Sequence, residues 1–94
     1  MKLLMVVVDE ACKEEVEVAL QRAGVAGFTE IPGAVGMGTS GPRLGSAAFP
    51  KTSAVILSFV EDDQVAALKE RVRTDCPARA RPHLVTWTVE PHSI

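Results

Sequence analysis

Residues 2–8 read Lys2-Leu-Leu-Met-Val-Val-Val8, an apolar run that is rich in β-branched side chains. Successive side chains of a strand point to opposite faces, so alternate residues of the run share a face. One face would carry Leu3, Met5 and Val7, and the other would carry Leu4, Val6 and Val8. Because both faces are apolar, the run is typical of a strand in the middle of a sheet. We therefore expect the fold to assemble around this strand.

Helical and strand patterns alternate after this run. Asp9 is a suitable N-cap, and apolar residues then recur at helical spacing as far as Gly24, which favours a helix C-terminus. Residues 27–31 predict a second strand that ends at Pro32, since proline lacks a backbone donor. Residues 52–60 predict a third strand, and Glu61-Asp-Asp63 favours a second helix that ends near Cys76-Pro77. Residues 83–90 predict the fourth strand.

This order predicts an α+β fold of the ferredoxin-like βαββαβ type, with residues 1–94 forming one domain. Such a fold has a four-stranded antiparallel sheet with both helices on one face. The other face, which includes the open side of the first strand and Trp87, would then expose a large apolar surface. We therefore expect the chain to associate with copies of itself.

Residues 33–51 show neither a strand period nor a helical period and predict a long loop between strands 2 and 3. The segment contains five glycines, Gly33, Gly36, Gly38, Gly41 and Gly45. A loop of this length in so short a chain is uncommon and is usually functional. The loop is therefore the first place to look for a binding site.

Composition excludes several classes of protein. The net charge of −2 argues against a dedicated nucleic-acid binder. The longest apolar run is far shorter than the ~20 residues of a membrane-spanning helix, so no membrane insertion is expected. Cys12 and Cys76 are far apart in the chain and predict buried free thiols in a reducing, cytoplasmic setting. No nucleophile or phosphate-loop motif is present, and we do not expect an enzyme.

Glycines and basic residues are the candidates for an effector site. Gly33, Gly36 and Gly38 either present backbone N–H groups to an anion or only turn the chain. Arg43, Arg79 and Arg81 carry guanidinium groups suited to phosphate or carboxylate, although basic groups of this kind often lie on a solvated face. Loops on rigid scaffolds often bind partners. The candidate partner-binding residues are Thr39, Ser40, Arg43, Leu44, Phe49 and Lys51.

Residues 15–29 and the following cluster Gly33-Ala-Val-Gly-Met-Gly38 resemble a known family, the PII nitrogen-regulatory signalling proteins. Those proteins have a comparable helix that ends in Gly-x-x-Gly-x-Thr and a glycine pair where their long T-loop begins. Phe49-Pro-Lys51 and Glu61-Asp-Asp63 are similar in placement, so the resemblance covers residues 1–73.

The resemblance implies a cytoplasmic homotrimer that binds an adenine nucleotide or another small anion between subunits. It also implies that the loop docks a target protein, such as a transporter or an enzyme, and that basic side chains near Arg79 lie close to the effector. One segment departs from the family: nucleotide-binding members carry T-G-x-x-G-D-G-K, whereas Thr74–Pro82 contains no glycine. The chain also has no tyrosine, so uridylylation of a loop tyrosine is not expected.

A second resemblance stays open, because the trimeric CutA-type copper-tolerance proteins share this fold class. It implies a metal-responsive module without nucleotide recognition. His83 and His92 are its candidate ligands, since imidazole binds copper, zinc and nickel. A single histidine without a closely spaced ligand more often has a structural role.

Overall fold

The computed structural model describes residues 1–38, 41–80, 82–90 and 92. Six strands and two α-helices occur in these ranges. The strands are β1 (Lys2–Asp9), β2 (Thr29–Ala34), β3 (Gly36–Gly38), β4 (Gly41–Arg43), β5 (Ser53–Val60) and β6 (His83–Thr88). The helices are α1 (Lys13–Arg22) and α2 (Val65–Asp75). Short 3₁₀ turns precede both helices, at Glu10–Cys12 and Asp62–Gln64, and a third spans Ala78–Ala80.

The main sheet has the strand order β2-β5-β1-β6, and every neighbouring pair is antiparallel. β1 lies between β5 and β6, which confirms the prediction of a central strand. Leu3 is paired with Phe59 on one side and with Trp87 on the other. With two helices beside this sheet, the predicted ferredoxin-like α+β fold is confirmed.

One face of the sheet packs against both helices. Leu4, Val6 and Val8 of β1 are at most 1% exposed and lie in a core with residues of both helices and of β5. The helices contribute Val16, Ala19, Leu20, Leu68 and Val72 to this core. The alternation of side chains in β1 is therefore as the sequence predicts, with the even-numbered residues inside.

The opposite face of the sheet is apolar, and neither of the helices in the described part of the chain packs on it. Leu3, Met5 and Val7 form its middle row, and their cross-strand neighbours include Phe59, Trp87, Val85 and Val55. Phe59 is 57% exposed and Trp87 is 49% exposed. We call this apolar surface of β1, β5 and β6 the open face.

The ends of both helices follow their predicted signals. The Asp9 side chain accepts a hydrogen bond from the Ala11 N–H, although the first turn is 3₁₀ rather than α-helical. Gly24 follows α1 with a φ of +74°, a left-handed conformation in which a Cβ is unfavourable. Glu61 and Gln64 form a capping box ahead of α2. Among the described residues, neither helix has the length and apolar character needed to cross a membrane.

The second strand and the segment after it differ in detail from the prediction. Pro32 does not end β2, which continues to Ala34 with a shift in register between Ile31 and Ala34. β2 is an edge strand, and an edge tolerates a residue without an N–H donor. The segment 33–51 is also more regular than predicted, since β3 and β4 pair as an antiparallel hairpin within it.

Candidate functional site

A cleft of about 260 Å³ lies where the β3–β4 hairpin meets the end of β1. Its walls come from the hairpin, from the end of β1, and from the starts of β5 and β6. Residues of interest on these walls are Asp9, Gly36, Gly38, Arg43 and His83. We call this space the hairpin cleft. It brings together two of the predicted effector glycines and the predicted loop arginine.

An ion pair closes one side of the hairpin cleft. Asp9 lies at the end of β1, and Arg43 lies at the end of β4. Oδ2 of Asp9 accepts a hydrogen bond from Nη1 of Arg43, and these two atoms are 2.5 Å apart. Their side chains are only 14% and 15% exposed, respectively. The contact therefore ties the predicted loop to the body of the sheet through a pair that water screens only in part.

The environment of Asp9 favours its charged form. Burial alone would raise the pKa of this carboxyl, but the Ala11 N–H, the Arg43 guanidinium and the more distant Lys51 ammonium outweigh it, and the pKa is lowered. Asp9 is therefore ionised at neutral pH and holds Arg43 as a charged pair. An anion that approached Arg43 would compete with this carboxylate.

A second cleft, of about 240 Å³, adjoins the first and shares Asp9 and Ala80 with it. Lys51 and Arg79 line it, together with Glu15, Asp75 and Cys12. We call it the lysine cleft. The structure thus places the predicted Lys51 and Arg79 on the walls of one cleft, next to the cleft that holds Arg43.

The backbone around the predicted glycines is partly committed to internal contacts. The Gly33 N–H donates a hydrogen bond to Oε1 of Glu10, and Gly33 has a φ of +67°. Gly36 and Gly38 are exposed, and apart from their neighbours in the chain no described residue has a heavy atom within 4 Å of the position that a Cβ would take at either glycine. A ligand in the hairpin cleft can therefore approach the backbone of Gly36 and Gly38 closely.

The remaining loop residues form a small turn beyond the hairpin. The Leu44 N–H donates to the Phe49 carbonyl at 3.2 Å, and the Gly45 N–H donates to the Lys51 carbonyl at 3.3 Å. The side chains of Leu44 and Phe49 are 42% and 45% exposed. The other predicted site residues, Thr39, Ser40 and Arg81, lie outside the residues that the structure describes.

Only one of the two histidines lines the hairpin cleft. His83 lines the hairpin cleft and is exposed, and His92 is exposed near the C-terminal end of the described chain. Within residues 1–38, 41–80, 82–90 and 92, no three His, Cys, Asp or Glu side chains are grouped as metal ligands.

Sequence reasoning missed two acidic residues at this site. It assigned Asp9 only to helix capping, and it did not consider Glu10 as a site residue. In the structure Asp9 also binds Arg43, and Glu10 also binds the Gly33 N–H. The available signal was the position of both residues directly after a buried strand, where polar side chains emerge at the edge of a sheet.

Solved structures share this fold along nearly the whole chain. One of them is CPII, a nitrogen regulatory PII-like protein from Thiomonas intermedia K12, whose structure was determined bound to ADP, AMP and bicarbonate. CPII is 25% identical to this chain, with a TM-score of 0.71, and the match covers 92% of this chain and 86% of CPII. A protein described as a PII-like signalling protein of Thermus thermophilus is 13% identical, with a TM-score of 0.68 over 92% of this chain and 83% of that one. The second likeness concerns the fold alone.

Sequence comparison gives the family. No curated protein matches the chain significantly. The model of the nitrogen regulatory protein P-II family matches residues 1–80, which is most of the chain and includes β1, both helices, the hairpin and both clefts except for His83. This match confirms the resemblance found in the helix, strand and glycine patterns. The chain therefore belongs to the nitrogen regulatory protein P-II family.

Proposed function

We propose that this P-II family protein is a cytoplasmic regulator that binds an adenine nucleotide, or another small anion, in the hairpin cleft. The observation that carries the proposal is the cleft itself, which combines the open backbone of Gly36 and Gly38 with the Arg43 guanidinium. Guanidinium groups suit phosphate and carboxylate oxygens because their N–H donors form a planar fork.

The electrostatics around the cleft support an anionic ligand. Lys51 and Arg79 in the adjoining lysine cleft add two positive charges, although Glu15 and Asp75 are on the same walls. The structure of CPII with ADP, AMP and bicarbonate shows that a related fold accommodates nucleotides and a small anion. Because this chain lacks the glycine-rich phosphate loop, Arg43 and the neighbouring cations would supply the phosphate contacts.

The open face supports a site between subunits. Val7 and Val55 belong to the open face, and His83 is the cross-strand neighbour of Val7 on β6. All three residues also line the hairpin cleft. A second copy packed on the open face would therefore stand at the mouth of the cleft. Burial of that face stabilises an assembly by ~25 cal/mol per Å² of apolar surface, before the costs of association. We expect a homotrimer, the state that the family resemblance implies.

Signalling would pass through the loop. The hairpin is tied to the sheet by the Asp9–Arg43 pair, and the turn beyond it exposes Leu44 and Phe49. An effector that binds Arg43 shifts the population of hairpin conformations by the difference in its affinity for them. A target protein, such as a transporter or an enzyme, would read that shift through the exposed turn.

Isothermal titration of the full chain with ADP, AMP and bicarbonate tests effector binding. We expect ADP to bind and both Arg43→Ala and Arg79→Ala to weaken it. Arg73→Ala is the matched control, because Arg73 lies on the solvent side of α2, 74% exposed, and pairs with Glu70. The absence of binding by all three ligands, or equal affinity in all variants, would contradict the proposal.

Light scattering during size-exclusion chromatography tests the assembly. Three chains of 10.0 kDa predict a particle of about 30 kDa. Trp87→Glu places a charge on the open face and should yield smaller species, whereas Val18→Glu, on an exposed helical position, should not. A stable wild-type monomer at micromolar concentration would overturn the trimer.

A further inference from the structure

The fold brings the two cysteines together although they are 64 positions apart in the chain. Cys12 ends the 3₁₀ turn before α1, and Cys76 is the C-cap of α2. Their Sγ atoms lie 2.7 Å apart, and the residues are 4% and 5% exposed. We propose that Cys12 and Cys76 are a redox pair that a peroxide converts into a reversible intramolecular disulfide.

The position of the pair suits bond formation. A disulfide needs its sulfurs at ~2.05 Å, so the observed separation requires a movement of well under one ångström. Both sulfurs lie at helix ends rather than within helices, and a small adjustment there leaves the helical hydrogen bonds intact. The Cys76 thiol also faces the Cys12 carbonyl oxygen at 3.8 Å, which keeps the two side chains directed at each other.

The oxidant has a route to the pair. Cys12 lines the lysine cleft, with Asp9, Lys51 and Arg79 on the same walls. A peroxide molecule is small enough to enter a cleft of about 240 Å³. The buried dithiol is therefore within reach of a small neutral oxidant.

The proposed step has two parts. The Cys12 thiolate attacks one peroxide oxygen, the O–O bond breaks, and the departing hydroxide takes up a proton to give water, which leaves a sulfenic acid on Cys12. The Cys76 sulfur then attacks the Cys12 sulfur, the S–O bond breaks, and a second water departs. In total two thiols are oxidised to one disulfide, and one peroxide is reduced to two waters. A dithiol reductant reverses the change by thiol–disulfide exchange.

The environment makes this reaction slow at neutral pH. Burial raises the pKa of both thiols. The hydrogen bond that Cys12 donates to Cys76, together with the nearby Glu15, raises the pKa of Cys12 further. The same hydrogen bond lowers the pKa of Cys76, but burial, Glu15 and Asp75 outweigh it and that pKa is also raised. Only the thiolate attacks peroxide, so few molecules react at any moment. The rate should therefore rise with pH, which separates this pair from a rapid peroxide sensor with an acidic thiol.

The test uses the full wild-type chain, treated with hydrogen peroxide, then unfolded in an alkylating agent and analysed by intact and peptide mass spectrometry. In the intact spectrum we expect a species that is lighter by two hydrogens and resists alkylation. In the peptide spectrum Cys12 and Cys76 should occur in one cross-linked peptide, and dithiothreitol should restore both thiols. Closing so long a loop should raise the melting temperature by roughly 10 °C or more.

Cys12→Ala and Cys76→Ala are the matched controls, and neither should show the thermal shift. The proposal does not depend on effector binding. It is overturned if both wild-type thiols remain open to alkylation, if oxidation stops at an acid on one cysteine, or if the disulfide joins two chains instead of one.

Discussion

Replacing Asp9 by asparagine separates the two roles of this residue. The asparagine side chain keeps an oxygen for the Ala11 N–H, so the helix cap survives. It lacks the negative charge that holds Arg43. If the effector is an anion that must displace this carboxylate from Arg43, Asp9→Asn should bind it more tightly than the wild type does.

The size of the effect follows from the geometry of the ion pair. At an effective dielectric constant of ~20, two charges ~4 Å apart interact by ~4 kcal/mol, which is an upper bound. Exposed pairs contribute ~0.2–1 kcal/mol, and hydrogen bonds to charged groups ~1.5–3 kcal/mol. Both side chains here are about one-seventh exposed, so we take ~1.5 kcal/mol for the pair. The affinity for ADP should then rise about tenfold, while the free energy of unfolding falls by a similar ~1.5 kcal/mol.

The assay is titration calorimetry with ADP on the wild type, Asp9→Asn, Arg43→Ala and the double variant. In the double variant, Asp9→Asn should add nothing, because Arg43 is already gone. Asp62→Asn is the matched control, since that carboxylate pairs with the N-terminal amine at 3.0 Å, away from both clefts. A lower affinity in Asp9→Asn, or the same gain in the Arg43→Ala background, would refute competition between Asp9 and the effector.

Two further predictions concern stability. A hydrogen bond with Glu30, and then burial, raises the pKa of Glu17 from 4.5 to about 7. Between these pH values the folded state holds a proton that the unfolded chain releases, so the free energy of unfolding falls as the pH rises. The pKa of Glu30 is lowered, so its effect on stability occurs at lower pH, outside this range. Glu17→Gln should remove this fall in the free energy of unfolding, which amounts to ~1 kcal/mol or less after solvent screening. If the melting temperatures of the wild type and Glu17→Gln change in the same way across pH 4.5–7, the prediction is contradicted. Leu4 is fully buried between the sheet and the helices, so Leu4→Ala should cost ~2–5 kcal/mol in chemical denaturation, and a loss below ~1 kcal/mol would show that the site is less tightly packed.

Local patterns predicted the elements that depend on local physics. The alternation in residues 2–8 was enough to place Leu4 and Val6 on one face and Leu3 and Met5 on the other, but the structure shows which face meets the helices. The helix stop at Gly24 could be predicted because a left-handed residue is a local requirement. Element order then led to the sheet, since few topologies accommodate βαββαβ.

Features that depend on distant residues could not be predicted this way. Pro32 continues β2 only because β2 is at the sheet edge, which no local window reveals. Three of the six strand residues of the β3–β4 hairpin are glycines, which carry little strand propensity. Asp9 and Arg43 are 34 positions apart in the chain, so the pair has no shared local pattern in the sequence. The predicted roles of Gly36, Arg43 and Arg79 stay predictions until a ligand is tested.

A crystal structure of the protein grown with ADP tests the central claim most directly. The account predicts nucleotide phosphates in the hairpin cleft against Arg43, with the Asp9–Arg43 contact broken and a second copy of the chain on the open face at the mouth of the cleft. Nucleotide bound elsewhere, or an intact Asp9–Arg43 pair beside an empty cleft at saturating ADP, would contradict it.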